Sequence, residues 1–532
     1  MCEATFVGSK LTLFPLPTLP SQISKSKREA VQRRISAKIT SDFFKHSVKQ
    51  TRSLLEKTSA EEWEKMGGQK ALQVFHAAAE RVPAYKDFLR KHKISHRKIR
   101  TVSDLARVPA TNKKTYLKKY PFESLCWDGE VENSQMISIS SGSTGKPFMW
   151  PRDVRLEYEV TYLFELTMES FFRVSKYKTL IIDCFAMGMY VGGPFFLNAS
   201  LRIAQKGYRA TVVTPGNVLS DILRIVTEMA PQYEQIVLSG YPPFLKDVID
   251  EGKRAGIKWE QYRTILFPAG DGFSERWRSL VAESIGANPV TDILGYYGTA
   301  DAAVLGMETP WSVHLRREIA ERNGSVSKVF GQSRLPSFLQ YFPTLRYFEE
   351  MGNELHFTAA NGSIPLIRYN IGDIGGIISF SEMETIAREH GLEEVARQKE
   401  VWELPFVYLF GRSDDTAILY GANIYPENIK LALEHKNLRT DCTGRFVMKV
   451  NEEKDGSQRL HIYVEPQHKA KRTTQLQNKI RDTIQDVLRD VNAEYTNASR
   501  AVGERAIPII HVVEHGDETY FTRKKQKQTW KL

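Results

Sequence analysis

At 532 residues the chain is longer than one hydrophobic core usually fills, so at least two domains are expected. A hydrophobic content of 42% with 26% charged residues is ordinary for a soluble globular enzyme. The four cysteines (Cys2, Cys126, Cys184, Cys442) lie far apart with no CxxC and no Cys/His cluster, which argues against a disulfide framework or a structural zinc site.

The net charge of +11 is partly local, in KSKREAVQRR, KHKISHRKIR and RKKQKQTWK. Solvated basic faces explain such runs, and attraction for anions such as nucleotides or coenzymes is the sharper reading. No nucleic-acid module accompanies them, so no nucleic-acid partner is expected.

The opening MCEATFVGSKLTLFPLPTLPSQ lacks a basic start and a long apolar core, so it reads as an arm and not a signal peptide. Residues 28–90 read as helical, with a break at Val82-Pro83. From about 137 to 300, short apolar runs (TLIIDCF, ATVVTP, EQIVLSG, RTILFPAG) alternate with helical stretches such as LSDILRIVTEMA and SERWRSLVAESIG. That alternation predicts a layered α/β domain with a largely parallel sheet. The stretch TLIIDCFAMGMYVGGPFFLNASL is apolar, but Asp183, Pro194 and Asn198 interrupt it, so it reads as a buried strand and loop and not a membrane helix. Residues 326–411 look β-rich.

A boundary falls near GRSDD, 411–415, after which the pattern restarts: helix PENIKLALE, strands RFVMKVN and RLHIYVEP, an amphipathic helix at 473–491, and strand IPIIHVVEH. In RLHIYVEP, Leu460, Ile462 and Val464 alternate as a one-face-buried strand should. The expected division is an N-terminal arm with leading helices (1–64), a large layered α/β domain with a β-rich subdomain (65–411), and a small, mobile α+β C-terminal domain (412–532).

SSGSTGKP, 140–147, has the parts of a phosphate-binding loop. Backbone N–H groups at Ser143, Thr144 and Gly145 can converge on phosphate oxygens, hydroxyls come from Ser140, Ser141, Ser143 and Thr144, and Lys146 adds charge. It is not a Walker A loop, because Gly142 and Gly145 are too close together and Pro147 follows the lysine.

This loop resembles the phosphate loop of the adenylate-forming enzymes, the superfamily of acyl-CoA synthetases and adenylation domains. GYYGTAD (295–301), LIRYNIGDIG (366–375) and LFGRSDDTAILYGANIYPENIK (409–430) follow in that superfamily's order. ERVPAYKDFLRKHKI, TVSDLARVPATNKKTYLKKYPFESL and QIVLSGYPPFLKDVI are similar to phenylacetate–CoA ligases, and GDGFSE and DCFAMGMYVGG to ligases of phenazine-antibiotic pathways. The resemblance covers roughly residues 65–532.

It implies an ATP-dependent activation of a carboxylic acid, aryl or arylacetic, as an acyl adenylate, with Mg²⁺ and with CoA as acceptor. An amine acceptor, giving an amide, and a nucleotide-binding homologue without turnover are the alternatives. Ser140, Ser141, Gly142, Ser143, Thr144, Gly145 and Lys146 would grip the β- and γ-phosphates. Tyr297, between Tyr296 and Gly298, would stack on adenine, and Thr299 would donate to the α-phosphate. Asp301 stands where the superfamily usually has glutamate and would help hold magnesium. Asp373 would accept from both ribose hydroxyls, with Arg412 beside the ribose or phosphate. Gly270, Asp271 and Gly272 would frame adenine and one wall of the acid pocket, which Tyr241 and Pro242 would line. Asp414 would be the hinge. A C-terminal lysine completes the set: Lys524, Lys525 and Lys527 compete, and Lys527 is preferred because Trp530, three residues on, resembles an aromatic found there in relatives. A cytoplasmic location without a membrane partner is expected.

Overall fold

The structure is a computed structural model that describes residues 47–531, apart from 133, 140–147, 190, 323, 333, 361, 392–400, 413–415, 421, 453–457, 469 and 522–529. Residues 140–147, Asp414, Lys524, Lys525 and Lys527 therefore lie outside the described residues, as does the side chain of Arg412.

Among the described residues three helices come first: Val48–Leu55, Ala60–Arg81 and Pro83–Lys91. Ser59 opens the second with a capping box, and Pro83 starts the third at a position where its missing N–H costs nothing. Strands β1 (Met136–Ile139) and β2 (Met149–Arg152) then pair antiparallel, on either side of SSGSTGKP in sequence.

A parallel sheet follows, built from β3 (Thr179–Asp183), β4 (Ala210–Val213), β5 (Gln235–Ser239) and β6 (Arg263–Leu266) in the order β4-β3-β5-β6. β3 and β5 are buried along their whole length, as strands covered on both faces must be. Leu180 and Ile182 enter one core and Ile181 another, so successive residues serve opposite faces of the sheet.

The apolar stretch after β3 is a helix, Gly192–Gln205, where a loop was expected. Gly192, Gly193 and Pro194 occupy its first turn, in which N–H groups have no intrahelical acceptor, so the breakers do not break it. A Cβ at Gly193 would meet the Ala186 carbonyl oxygen at 2.8 Å, so the helix start packs there only with glycine.

Seven antiparallel strands form the second sheet: β7 (Tyr296–Thr299), β8 (Ala303–Met307), β9 (Ser337–Gln340), β10 (Tyr347–Met351), β11 (Glu354–Ala359), β12 (Leu366–Ile378) and β13 (Phe406–Arg412). Their order is β10-β11-β12-β13-β9-β8-β7. Bridges Leu266↔Ile293 and Ala269↔Tyr296 join the end of β6 to the start of β7, so the two sheets meet at the GYYGTAD segment.

Beyond residue 416 the chain builds its own core from Ala417 to Trp530. β14 (Ala417–Leu419) pairs with β15 (Ala422–Ile424), and β16 (Cys442–Glu452), β17 (Gln458–Pro466) and β18 (Ile509–Val512) form a mixed sheet. Leu460, Ile462 and Val464 are fully buried, as their alternation requires. Helix Thr474–Val491 buries Ile480, Ile484 and Leu488, and a further helix, Ala493–Val502, follows it. Among the described residues no helix is long and apolar enough to cross a membrane.

Candidate active site

The candidate site forms around the turn between β7 and β8. Along β7 successive tyrosines point to opposite sides, as strand geometry dictates. Tyr296 packs against Phe164 and Phe267, at ring-centroid distances of 4.9 and 4.6 Å. Tyr297 is 9% exposed, its ring set in the neighbouring core, and its hydroxyl donates to the Asp373 carboxylate. At the strand's end the Thr299 hydroxyl accepts from the Ala302 amide at 3.1 Å, which fixes the turn.

Asp301 is buried in that turn. Lys113 Nζ lies 2.9 Å from its Oδ1, and the Tyr369 hydroxyl donates to its Oδ2 at 2.7 Å. Lys113 reaches it because the preceding backbone docks on β12: the Thr111 amide donates to the Arg368 carbonyl, and the Asn370 amide to the Thr111 carbonyl. Arg152 of β2 donates to the Ala300 carbonyl at 2.8 Å and to the Ser138 hydroxyl of β1 at 3.1 Å. The strands on either side of segment 140–147 are therefore tied to the Thr299–Asp301 turn. Burial pushes the Arg152 guanidinium down to about 9, with Glu157 and Asp301 opposing.

Asp373 lies on β12 directly opposite Arg412 on β13, so the antiparallel register alone sets these two residues side by side. Tyr297, Thr299, Asp301 and Asp373 are thus one cluster, with Arg412 next to it in the sheet.

Gly270 follows β6 with φ +94°, a left-handed conformation that glycine takes without strain, and the bridge Ala269↔Tyr296 holds this backbone beside β7. The side chain of Asp271 turns away toward the C-terminal core. Its Oδ2 accepts from the Tyr241 hydroxyl at 3.1 Å, Lys430 Nζ at 2.9 Å and Trp530 Nε1 at 3.0 Å. Tyr241 packs partly against that core, and Pro242 is the buried first residue of helix Pro242–Arg254. A Cβ at Gly272 would sit 3.0 Å from the Ser337 hydroxyl.

The sequence reading missed Lys113 and Tyr369, which hold Asp301. It also missed Asp183 at the carboxyl end of β3, the end of a parallel sheet where ligands bind. Asp183 Oδ1 accepts from the Phe185 amide at 3.0 Å, and its Oδ2 has no hydrogen-bond partner among the described residues. Burial pushes this carboxyl up to about 8, against the lowering effect of the Phe185 amide. Lys430 was equally silent: burial disfavours its charge, and Asp271 and Glu427 outweigh burial, leaving its pKa raised.

Among the described residues no group of three His, Cys, Asp or Glu side chains could hold a metal ion. Asp301 offers a single carboxylate, which suits a magnesium ion carried largely by substrate phosphates and not a cage of protein ligands.

No protein-family profile matches the chain. It is similar to a phenylacetate–coenzyme A ligase of Thermus thermophilus, 23% identical over 358 residues that cover 66% of this chain and 71% of the relative. It is also similar to one from Aromatoleum evansii, 21% identical over 378 residues, 71% and 76% of the two chains. Among solved structures, 2-hydroxyisobutyryl-CoA ligase in its postadenylation state matches with a TM-score of 0.63 at 14% identity, over 90% of each chain. The same ligase in its thioesterification state matches with a TM-score of 0.51 at 16% identity, over 86% of this chain and 87% of that one. The chain has the fold of the adenylate-forming ligases. Its sequence is similar, over about two thirds of its length, to the phenylacetate–coenzyme A ligases.

Proposed function

We propose that the protein joins an aryl or arylacetic acid to AMP and then passes the acyl group to the thiol of CoA. In the first step a carboxylate oxygen attacks the α-phosphorus of ATP and pyrophosphate leaves. In the second the thiolate attacks the acyl carbonyl and AMP leaves, a far better leaving group than oxide.

The observation that carries this reading is the convergence of Tyr297, Thr299, Asp301 and Asp373 at the junction of the two sheets. Thr299 is assigned to the α-phosphate, and Asp373, oriented by the Tyr297 hydroxyl, to the ribose hydroxyls, which a two-oxygen carboxylate can accept together. Ser140, Ser141, Ser143, Thr144 and Lys146 are assigned to the departing pyrophosphate, whose growing charge donors and a cation stabilise. Asp301 is assigned to the magnesium that arrives with ATP and neutralises phosphate charge. Lys113, already on Asp301, would share that carboxylate with the ion. Lys527 or Lys525 is assigned to the carboxylate and α-phosphate, and Arg412 to the ribose or phosphate. Residues 412–532 would rotate about Asp414 between the two steps.

Pyrophosphate exchange over a panel of aryl and arylacetic acids tests the reading. Acid-dependent exchange is expected. ATP binding without exchange for any acid points instead to a nucleotide-binding protein that does not turn over. The product mass with CoA or amines supplied then separates a thioester from an amide.

A further inference from the structure

The three donors on Asp271 Oδ2 come from both sides of the seam between the large body and the C-terminal core. Tyr241 follows β5 of the parallel sheet, whereas Lys430 lies on helix Pro426–Leu433 and Trp530 at the chain's end. Lys430 also donates to the Gly272 carbonyl at 3.3 Å and lies 4.2 Å from the Trp530 ring centroid. Trp530 is itself fixed, stacked at a tilt on Phe446 at 4.7 Å, with its carbonyl accepting from the Met448 amide at 2.8 Å. The side chains of Lys430 and Asp271 are only 10% and 19% exposed.

We infer that Asp271 is a positioning residue, a latch that docks the C-terminal core, and with it Trp530, in one orientation on the large body. An apolar seam tolerates several registers, because dispersion and burial have little direction. A carboxylate oxygen shared by an ammonium, an indole N–H and a phenol has one, and buried ionic groups are best attested in setting register. The contacts around it are of the same kind. Ser274 donates to Glu434, Arg276 to the Leu431 carbonyl at 3.0 Å, Arg254 to Gln467 at 2.7 Å, and Arg445 pairs with Asp247. On undocking, each of these groups recovers water, so the latch is reversible.

The functional consequence rests on the proposed function. Asp271 adjoins Gly270, which the Ala269↔Tyr296 bridge holds beside the candidate site. Trp530 follows Lys525 and Lys527 by five and three residues. Docking Trp530 on Asp271 thus favours the orientation that serves acid adenylation, and the latch opens for transfer to the acceptor.

The test uses the full chain with Lys430→Met and Trp530→Phe, which keep bulk and remove the charge or the N–H. Pyrophosphate exchange is compared with consumption of a synthetic acyl adenylate by CoA. A fall in exchange of about 10-fold or more for Lys430→Met, and a smaller fall for Trp530→Phe, is expected, with adenylate consumption unchanged or faster. Equal loss in both half-reactions, or unchanged exchange, overturns the latch. Asp271→Asn adds a check: if Asp271 is a nucleotide contact, adenylate consumption falls as steeply as exchange, which also overturns it. A fluorophore pair across the seam reads orientation without catalysis. The variants should broaden the inter-probe distance distribution even if no acid supports exchange, and an unchanged distribution overturns the latch on its own.

Discussion

Asp301 and Asp271 are both buried or nearly buried carboxylates with a lysine ammonium at 2.9 Å, yet they sit in differently built regions. The partners of Asp301, Lys113 and Tyr369, belong to the same folded body and are held by the docking of residue 111 on β12. The partners Lys430 and Trp530 of Asp271 belong to a separate core. The first arrangement is preorganised, so its dipoles are set before any substrate binds and need no rearrangement during reaction. The second spans two cores, and under the inferred latch it would part without unfolding either. The same ion-pair chemistry therefore joins segments within one body in one place and spans two cores in the other.

The largest loss is expected at Lys527. Lys527→Ala should reduce pyrophosphate exchange by about 10²–10³-fold, the range for losing a group aimed at transition-state charge, while a preformed acyl adenylate is still consumed. Retained exchange would move the role to Lys525 or Lys524. Asp301→Ala should cost about 10²-fold in exchange, and because its contacts are internal to the large body, the inter-probe distance across the seam should not change.

Tyr297→Phe is milder. It removes the hydroxyl that orients Asp373 and keeps the ring, so a rise of about 10-fold in KM for ATP is expected, the scale of one hydrogen bond to a charged group. An unchanged KM would detach Asp373 from the nucleotide.

Asp183→Asn has the smallest effect on activity and a readable effect on stability. Burial pushes the folded carboxyl up to about 8, from an ordinary value of 3.8. Between those values the folded state binds more protons than the unfolded one, so this group's contribution is complete below about pH 4 and is lost as pH rises toward 8. Asparagine does not ionise and its oxygen can still accept from Phe185. The thermal midpoint of the variant relative to the parent should therefore climb between pH 5 and pH 8, and a flat difference would mean that Asp183 ionises freely in the fold.

Much of the architecture was legible locally. Apolar runs separated by helical periods announced the parallel sheet, and Val82-Pro83 marked the break between two helices. The helix Gly192–Gln205 was hidden, because glycine and proline break a helix interior but are harmless in its first turn. In the candidate site the motif residues of β7 and β12 were readable as motifs, and their hydrogen bond joins positions 76 residues apart. Lys113 carried no signal, since nothing in NKKTYLKKY distinguishes it from its neighbouring lysines until residue 111 docks on β12.

The sequence by itself determined what each segment could become, because strand, helix and turn preferences and the order of the motifs are properties of short stretches of chain. Only the tertiary structure decided which charges share a partner. Lys113 and Asp301 are 188 residues apart, and Asp271 and Trp530 are 259 apart. Pairing at such separations is selected by the packing of whole cores, which leaves no periodicity along the chain to be read.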